Sequence, residues 1–322
     1  MVGLIRQSDY ENYDYRQFWQ DNKRDYEDKS ERLAVRKLLG RIETEGKIFI
    51  DLGCGFGRLF NEYRNFKKII LVDYSFSNIK NARDSITKFL NRDFKKLQDV
   101  YFIVADINNL PFKSEIADAV LTVRVIHHLL EPDIFFREVA RIIKNGGCFI
   151  LEYANKRNMK NILKFLSGII RQSPFNSLPF KVGDTILNFH PAFIRQILES
   201  IGFEVLKEIS VSNFRLAVLK KIAGLKFLLM LENIYQNLFS LAKTGPSIFL
   251  KTIYYGAAGQ KDFLYNSGNE EKILKGFSDI REILICPSCK QDKLEFLIPD
   301  NICCSNCKKN YRVEDNIYNF RI

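Results

Sequence analysis

Short β-branched runs alternate with helical stretches through the first half of the chain. Lys47–Asp51, Lys68–Val72, Val100–Val104, Ala117–Val123 and Cys148–Tyr153 are apolar-centred runs of strand length, as expected for strands covered on both faces. Between them, residues 15–40, Arg58–Tyr63, Ser77–Asn91 and Pro132–Ile143 read as helices, with Gly40 closing the first. Strands separated by helical lengths predict βαβ units and a parallel sheet.

After Tyr153 the alternation is interrupted. Residues 155–189 hold basic, apolar helix-like stretches and turns at Pro174 and Pro179. A helix from Pro191 to Ser200 and a strand from Phe203 to Ile209 follow. A second helical stretch, Leu216–Leu241, mixes Leu, Ile, Phe and Met with Lys, and a last strand is expected at Ser247–Tyr255. Residues 256–280, rich in Gly, Asn, Ser and charge, read as a linker with one helix. Residues 281–322 form a terminal unit.

A length of 322 residues, 46% of them hydrophobic and 27% charged, allows one large domain with an appendage. No apolar run approaches the roughly eighteen residues of a membrane span. Met1–Asp14 is polar and acidic, without the apolar centre of a signal peptide, so a cytoplasmic location is expected. The net charge of +11 is uneven: −1 over residues 1–46, +3 over 47–154, +9 over 155–251 and 0 over 252–322. A basic surface suits an anionic partner such as nucleic acid or an acidic headgroup, and it also describes a plain solvated face.

The run Ile48-Phe49-Ile50-Asp51-Leu52-Gly53-Cys54-Gly55-Phe56-Gly57-Arg58-Leu59 is a buried strand turning sharply into a helix. Glycines allow positive φ and close approach of a ligand to the backbone. A dinucleotide fingerprint would place its third glycine at position 58, where Arg58 stands. Asp51 also suits a cationic ligand better than a pyrophosphate.

Here the chain resembles the class I S-adenosylmethionine-dependent methyltransferases. The resemblance continues at Val72-Asp73-Tyr74-Ser75 and Ala105-Asp106-Ile107, and covers about residues 45–155. It implies that Asp73 accepts from the ribose hydroxyls, Asp106 from the adenine amino group, and Ile107 packs on the ring. The expected cofactor set is Asp51, Gly53, Cys54, Gly55, Gly57, Asp73, Tyr74, Asp106, Ile107 and Arg124. The implied fold is a doubly wound α/β domain over residues 1–255. Its seven strands are ordered 3-2-1-4-5-7-6 with strand seven antiparallel, and insertions at about 155–189 and 212–245 lie over the carboxyl edge.

Methyl transfer from a sulfonium needs chiefly positioning and desolvation. The chain lacks the Asp/Asn-Pro-Pro-Tyr/Phe signature of amino-group DNA methylases and the Pro-Cys nucleophile of cytosine C5 methylation. His127 and His128, in a position where many family members carry a histidine pair, suit either a base or a packed helix start. His190 before Pro191 reads as a helix-start residue. Arg124, His128 and Tyr153 are the catalytic candidates, and Tyr153-Ala154-Asn155-Lys156-Arg157 is expected to face the pocket. Lys156, Arg157, Lys160, Lys164, Arg171, Lys220, Lys221 and Lys226 are candidates for tracking phosphates. The same Leu/Phe/Lys mixture also suits a membrane surface and a lipid or quinone acceptor.

Five of the seven cysteines gather near the C-terminus. Cys286-x2-Cys289, fourteen residues, then Cys304-x2-Cys307 supplies two knuckles for tetrahedral Zn²⁺, with Cys303 a competitor disfavoured by spacing. A hairpin through Pro299-Asp300-Asn301 is expected between them. The tail around Tyr311 and Tyr318 resembles the small zinc-ribbon activators that pair with tRNA, rRNA and release-factor methylases. Arg312 and Asn316 depart from that family's Pro and Gly. Together these features lead to the expectation of a methyltransferase carrying a C-terminal zinc ribbon. RNA or a ribosome-associated macromolecule is the preferred acceptor, with a small molecule, lipid or quinone as the alternative. A non-catalytic partner keeping the cofactor fold is the reading from another class.

Overall fold

The computed structural model describes residues 15–19, 24–40, 42–90, 99–183, 186–256, 279–297 and 300–321. Met1–Asp14, nearly all of the expected linker and Pro299 lie outside the described residues.

Tyr15–Trp19 is a short 3-10 turn, and helix α1 runs Asp25–Leu39, ending at Gly40 with φ 55°. The expected single helix over 15–40 is therefore two elements. Asp25, Glu27 and Asp28 in the first turn and Arg36 and Lys37 in the last complement the helix dipole.

The core alternates strand and helix. β1 (Ile48–Leu52), α2 (Phe60–Tyr63), β2 (Lys68–Asp73), α3 (Phe76–Leu90), β3 (Val100–Val104), β4 (Ala117–Thr122), α4 (Pro132–Ile142) and β5 (Ile143–Ala154) follow in order. The first insertion holds α5 (Met159–Leu166) and a hairpin of β6 (Phe180–Val182) and β7 (Ile186–Asn188). After α6 (Pro191–Ile201) and β8 (Phe203–Val211), the second insertion holds α7 (Ala217–Ile222) and α8 (Leu225–Leu238). The helix expected over 216–241 breaks at Gly224, whose φ of 66° no helix accommodates. β9 (Ser247–Tyr254) completes this half.

The C-terminal unit is an antiparallel meander of β10 (Leu294–Leu297), β11 (Asn301–Cys304), β12 (Asn310–Glu314) and β13 (Ile317–Asn319). It joins the main sheet instead of standing apart. β13 runs parallel to β3, pairing Ile317 with Phe102, Tyr318 with Ile103 and Asn319 with Val104. The sheet thus has eleven strands rather than seven, ordered β10-β11-β12-β13-β3-β2-β1-β4-β5-β9-β8, with β9 antiparallel to both neighbours.

Two apolar layers sandwich this sheet. Phe135, Phe136 and Val139 of α4 and Ile194 and Leu198 of α6 share one layer with Ile302, Tyr311 and Phe320 of the C-terminal unit. Ala34, Val35 and Leu38 of α1 and Ile79, Ala82 and Ile86 of α3 fill the other. Residues of β1 are buried throughout, as a central parallel strand requires.

Candidate cofactor site and thiolate cluster

β1 turns into the glycine loop at the carboxyl edge of the sheet. The Gly53 and Cys54 amides donate to the Val72 carbonyl at 2.8 and 3.0 Å, which fastens the turn to the end of β2. Gly53, Gly55 and Gly57 have φ of 75°, 55° and 75°. A Cβ on Gly53 would lie 2.2 Å from Val125 Cγ2, so packing and backbone both require glycine there.

Asp51, Asp73 and Asp106 gather at the ends of three adjacent strands. Asp73 accepts from Gly55 N at 2.8 Å and Ser75 N at 3.0 Å, tying the glycine loop to the loop after β2. Asp106 accepts from Asn108 N at 2.9 Å, and Ile107 beside it is buried. Burial raises the Asp51 carboxyl to about 7, opposed by the Tyr63 hydroxyl that donates to it at 2.5 Å and reinforced by the charge of Asp73. The Cys54 thiol, pushed well up by burial, donates to the Gly55 carbonyl.

Beside the loop lies a buried charge network. Arg58 contacts Glu31 at 2.6 Å and Asp28 at 2.5 Å. Arg124, with φ 61°, reaches the other Glu31 oxygen through Nε at 2.9 Å, and its Nη2 contacts the same oxygen. Burial alone would raise the Glu31 pKa, but Arg124 and then Arg58 overcome it and hold the carboxyl below its ordinary range. The Arg124 amide donates to Glu152 at 2.8 Å. The Trp19 ring packs over the guanidiniums of Arg58 at 3.9 Å and Arg124 at 4.9 Å. Asp51, Gly53, Cys54, Arg58, Val123 and Arg124 line a small cavity here.

Several of these residues escape a reading of the sequence. Arg58 stands out there only as a missing glycine, and Asp28 and Glu31 look like solvated helix charges. Their signal is spacing: at i and i+3 they share one helical face.

The catalytic candidates divide. Arg124 lines the cavity. The His127 and His128 rings lie 4.1 Å apart, tilted at 47°, in a 3-10 turn just past β4. Burial, with the neighbouring His128 and Arg124, holds His127 well below the ordinary imidazole range, and its buried Nδ1 has no hydrogen-bond partner among the described residues. Tyr153 is fully buried in the apolar layer shared with α4 and α6, so it presents nothing to a pocket. The pleat explains why: successive residues face opposite ways, so Glu152 takes the side expected of Tyr153. His190 caps α6, accepting from the Ala192 amide at 3.2 Å. Lys156 is buried, donating to the carbonyls of Asn176 and Leu178. It orders the first insertion and is not available to track phosphates.

Cys286, Cys289, Cys304 and Cys307 converge, with every sulfur within 4.8 Å of the others. Cys286 lies 3.5 Å from Cys307 and Cys289 3.6 Å from Cys304, near the roughly 3.8 Å edge of a tetrahedral thiolate site. The four are free thiols, and Cys303 turns instead to the Cys304 carbonyl. This unit reaches the cofactor edge twice. Lys290 bonds Glu138 at 3.0 Å, and Glu138 accepts from the Leu110 amide in the loop after Asp106. Arg321 lies over the Tyr74 ring at 5.4 Å.

Comparison with known proteins adds to this geometry. Residues 50–151 match the family described as "Methyltransferase domain". An uncharacterized chloroplastic methyltransferase of Arabidopsis thaliana is 28% identical over 111 residues, 34% of this chain and 31% of that protein. The chain thus spans about a third of the length of that relative and of a second from the same organism. A ubiquinone biosynthesis O-methyltransferase of Coxiella burnetii is 28% identical over 175 residues, 54% of this chain and 70% of that one. Among solved structures, magnesium protoporphyrin IX methyltransferase from Synechocystis PCC 6803 aligns with TM-score 0.50 and 18% identity. That alignment covers 74% of this chain and 87% of the other, a likeness of fold.

Proposed function

We propose that this chain, whose residues 50–151 match the methyltransferase-domain family, transfers a methyl group from S-adenosylmethionine to an acceptor held over the carboxyl edge of the sheet. The observation that carries the reading is the placement of Asp51, Asp73 and Asp106 at the ends of the adjacent strands β1, β2 and β3, with Asp73 fastening the glycine loop. A carboxylate at the end of β2 suits a ribose diol, and one after β3 suits an adenine amino group. The lining also discriminates against a pyrophosphate. Arg58 and Arg124 are held by Glu31 and Asp28 and are not offered to phosphate, while Asp51 favours a cationic group.

When bound, the cofactor supplies an electrophilic methyl group. The chain supplies position and a dry site: Gly53 to Gly57 let the backbone approach, Ile107 offers an apolar surface, and Arg58 and Arg124, on which Trp19 packs, line the cavity. His127 stands past β4, where burial and the neighbouring His128 and Arg124 disfavour its imidazolium, which suits a packed helix start better than a base. We read Cys286, Cys289, Cys304 and Cys307 as ligands of a structural zinc in a ribbon spanning residues 281–322.

Calorimetric titration with S-adenosylmethionine tests the reading, with labelled-methyl transfer into RNA, protein and lipid fractions of a cell extract. Saturable binding weakened at least tenfold by Asp73→Ala, with label entering one fraction, is the expected result. Absence of cofactor binding by the folded protein would overturn it.

A further inference from the structure

The two insertions carry their polarity the wrong way round for helices that end at water. In α8, Glu232 and Gln236 are buried against α1. Tyr26 donates to Glu232 at 2.6 Å, and Gln236 donates to the Ser30 carbonyl at 3.1 Å. Phe227, Met230, Ile234 and Leu238, spaced i, i+3, i+7 and i+11, form an exposed stripe on the opposite side, with Leu238 at 71% exposure. α5 buries none of its residues. Met159, Leu163 and Leu166 make an i, i+4, i+7 stripe that Ile169 continues, with Leu166 at 72% exposure. Ile222 of α7 is 79% exposed.

These stripes belong to one region of the fold. The Met159 amide donates to the Thr244 carbonyl at 2.9 Å, and Tyr235 of α8 bonds the Thr244 hydroxyl. The turn at 243–245 leads into β9, whose start pairs with the end of β5 at the carboxyl edge. That is the edge that carries the glycine loop. Exposed apolar area on this scale marks an interaction surface.

Charge selects the occupant. Residues 155–251 carry nine more Lys and Arg than Asp and Glu, and an excess remains after setting aside the buried Lys156 and Lys220, which pairs with Glu27. Lys164, Arg171 and Lys181 line a cavity of about 360 Å³ beside α5, together with Ile170 and Phe180. Cations flanking exposed aliphatic stripes match an anionic bilayer, where acyl chains receive the stripe and headgroup phosphates receive the lysines. RNA would satisfy the cations and could stack on Phe227, but it would leave the larger aliphatic part of the stripes, Leu163, Leu166, Ile222, Ile234 and Leu238, without a partner. A second copy of the chain would bring like charges together. Among the described residues no helix is long and apolar enough to cross a membrane, so the contact is peripheral.

We propose that α5 and α8 seat this protein on an anionic lipid bilayer, with the carboxyl edge of the sheet facing the headgroup layer. Resting on the methyltransferase reading, the acceptor is then a membrane-resident amphiphile. The test is co-sedimentation of the full chain with vesicles of phosphatidylcholine alone and of phosphatidylcholine with phosphatidylglycerol. Cofactor binding is followed by calorimetry on the same preparation. Binding is expected to the anionic vesicles, reduced at least tenfold by Leu163→Glu with Leu166→Glu, and separately by Ile234→Glu with Leu238→Glu. Lys164→Glu should weaken it at low salt more than at high salt. All five positions lie on or near the surface, and unchanged cofactor affinity reports that each variant is folded. Wild-type protein that binds the cofactor but neither vesicle overturns the membrane proposal and leaves the methyltransferase reading standing. Vesicle binding indifferent to the aliphatic variants overturns it too. So does RNA retention that tracks Lys164 alone without vesicle binding, or a dimer that the aliphatic variants dissociate.

Discussion

Glu31 is a carboxylate with no exposure, clasped between two guanidiniums that wall the candidate cofactor cavity. Glu31→Gln keeps the shape and removes the charge that Arg124 and Arg58 share, while Arg58 retains Asp28. Breaking a buried pair by removing one partner costs about 3–5 kcal/mol. The Asp28 contact and the partial exposure of the Arg124 side chain, 22%, moderate that to about 2–3 kcal/mol. For a domain of this size the loss corresponds to a fall in Tm of about 4–10 °C. The pH dependence gives an independent check. The folded pKa of Glu31 is depressed, so its stabilisation is present above the unfolded value near about 4.3 and is lost as pH falls through the folded value. The gap between wild type and variant should therefore be full at neutral pH and close in acid. Urea unfolding at both pH values measures it. Repeating Glu31→Gln in an Arg124→Met background should recover part of the loss. A cost below about 1 kcal/mol at neutral pH, or a gap that persists unchanged in acid, would refute the argument.

Two further outcomes follow from the site. Asp51 has a raised pKa, so its contribution to stability is full below the unfolded value near about 3.9 and is lost as pH rises through about 7. A cationic cofactor prefers the carboxylate, so its affinity should tighten across about pH 6–8 in wild type and flatten in Asp51→Asn; a flat wild-type profile would sink this. The four thiolates should hold about one zinc per chain by elemental analysis. Chelation or Cys304→Ser should remove it and cost at least about 2 kcal/mol, whereas an unchanged Tm after complete metal removal would contradict the structural role.

How much of this was legible depended on where the physics leaves a trace in side chains. Five buried core strands announce themselves as apolar runs, because a parallel strand covered on both faces cannot be otherwise. The cysteine knuckles are equally plain, since a thiolate tetrahedron demands its spacing. The pairing of β13 with β3 is a main-chain event, and no residue of Ile317–Asn319 advertises it. That pairing is why a seven-stranded expectation met an eleven-stranded sheet. Arg58 is hidden because its carboxylate partners, Asp28 and Glu31, lie some thirty residues away on α1, and nothing beside it in the sequence marks them. Tyr153 was misplaced by a single step of the pleat, which places Glu152 toward Arg124 instead. In α8 the apolar and polar residues are visible in the sequence, but an amphipathic pattern does not say which face meets the core. Only the burial of Glu232 and Gln236 does.

The parallel pairing of β13 on β3 has a thermodynamic consequence of its own. A strand that docks from a separate molecule is present only as often as concentration and affinity permit. Joined to the same chain, it returns to β3 at an effective concentration on the order of millimolar. The three-residue register of Ile317–Asn319 against Phe102–Val104 would be too short to hold a free partner, yet it suffices here. Occupancy of that edge is fixed at one to one, and a competitor for β3 must outcompete that effective concentration.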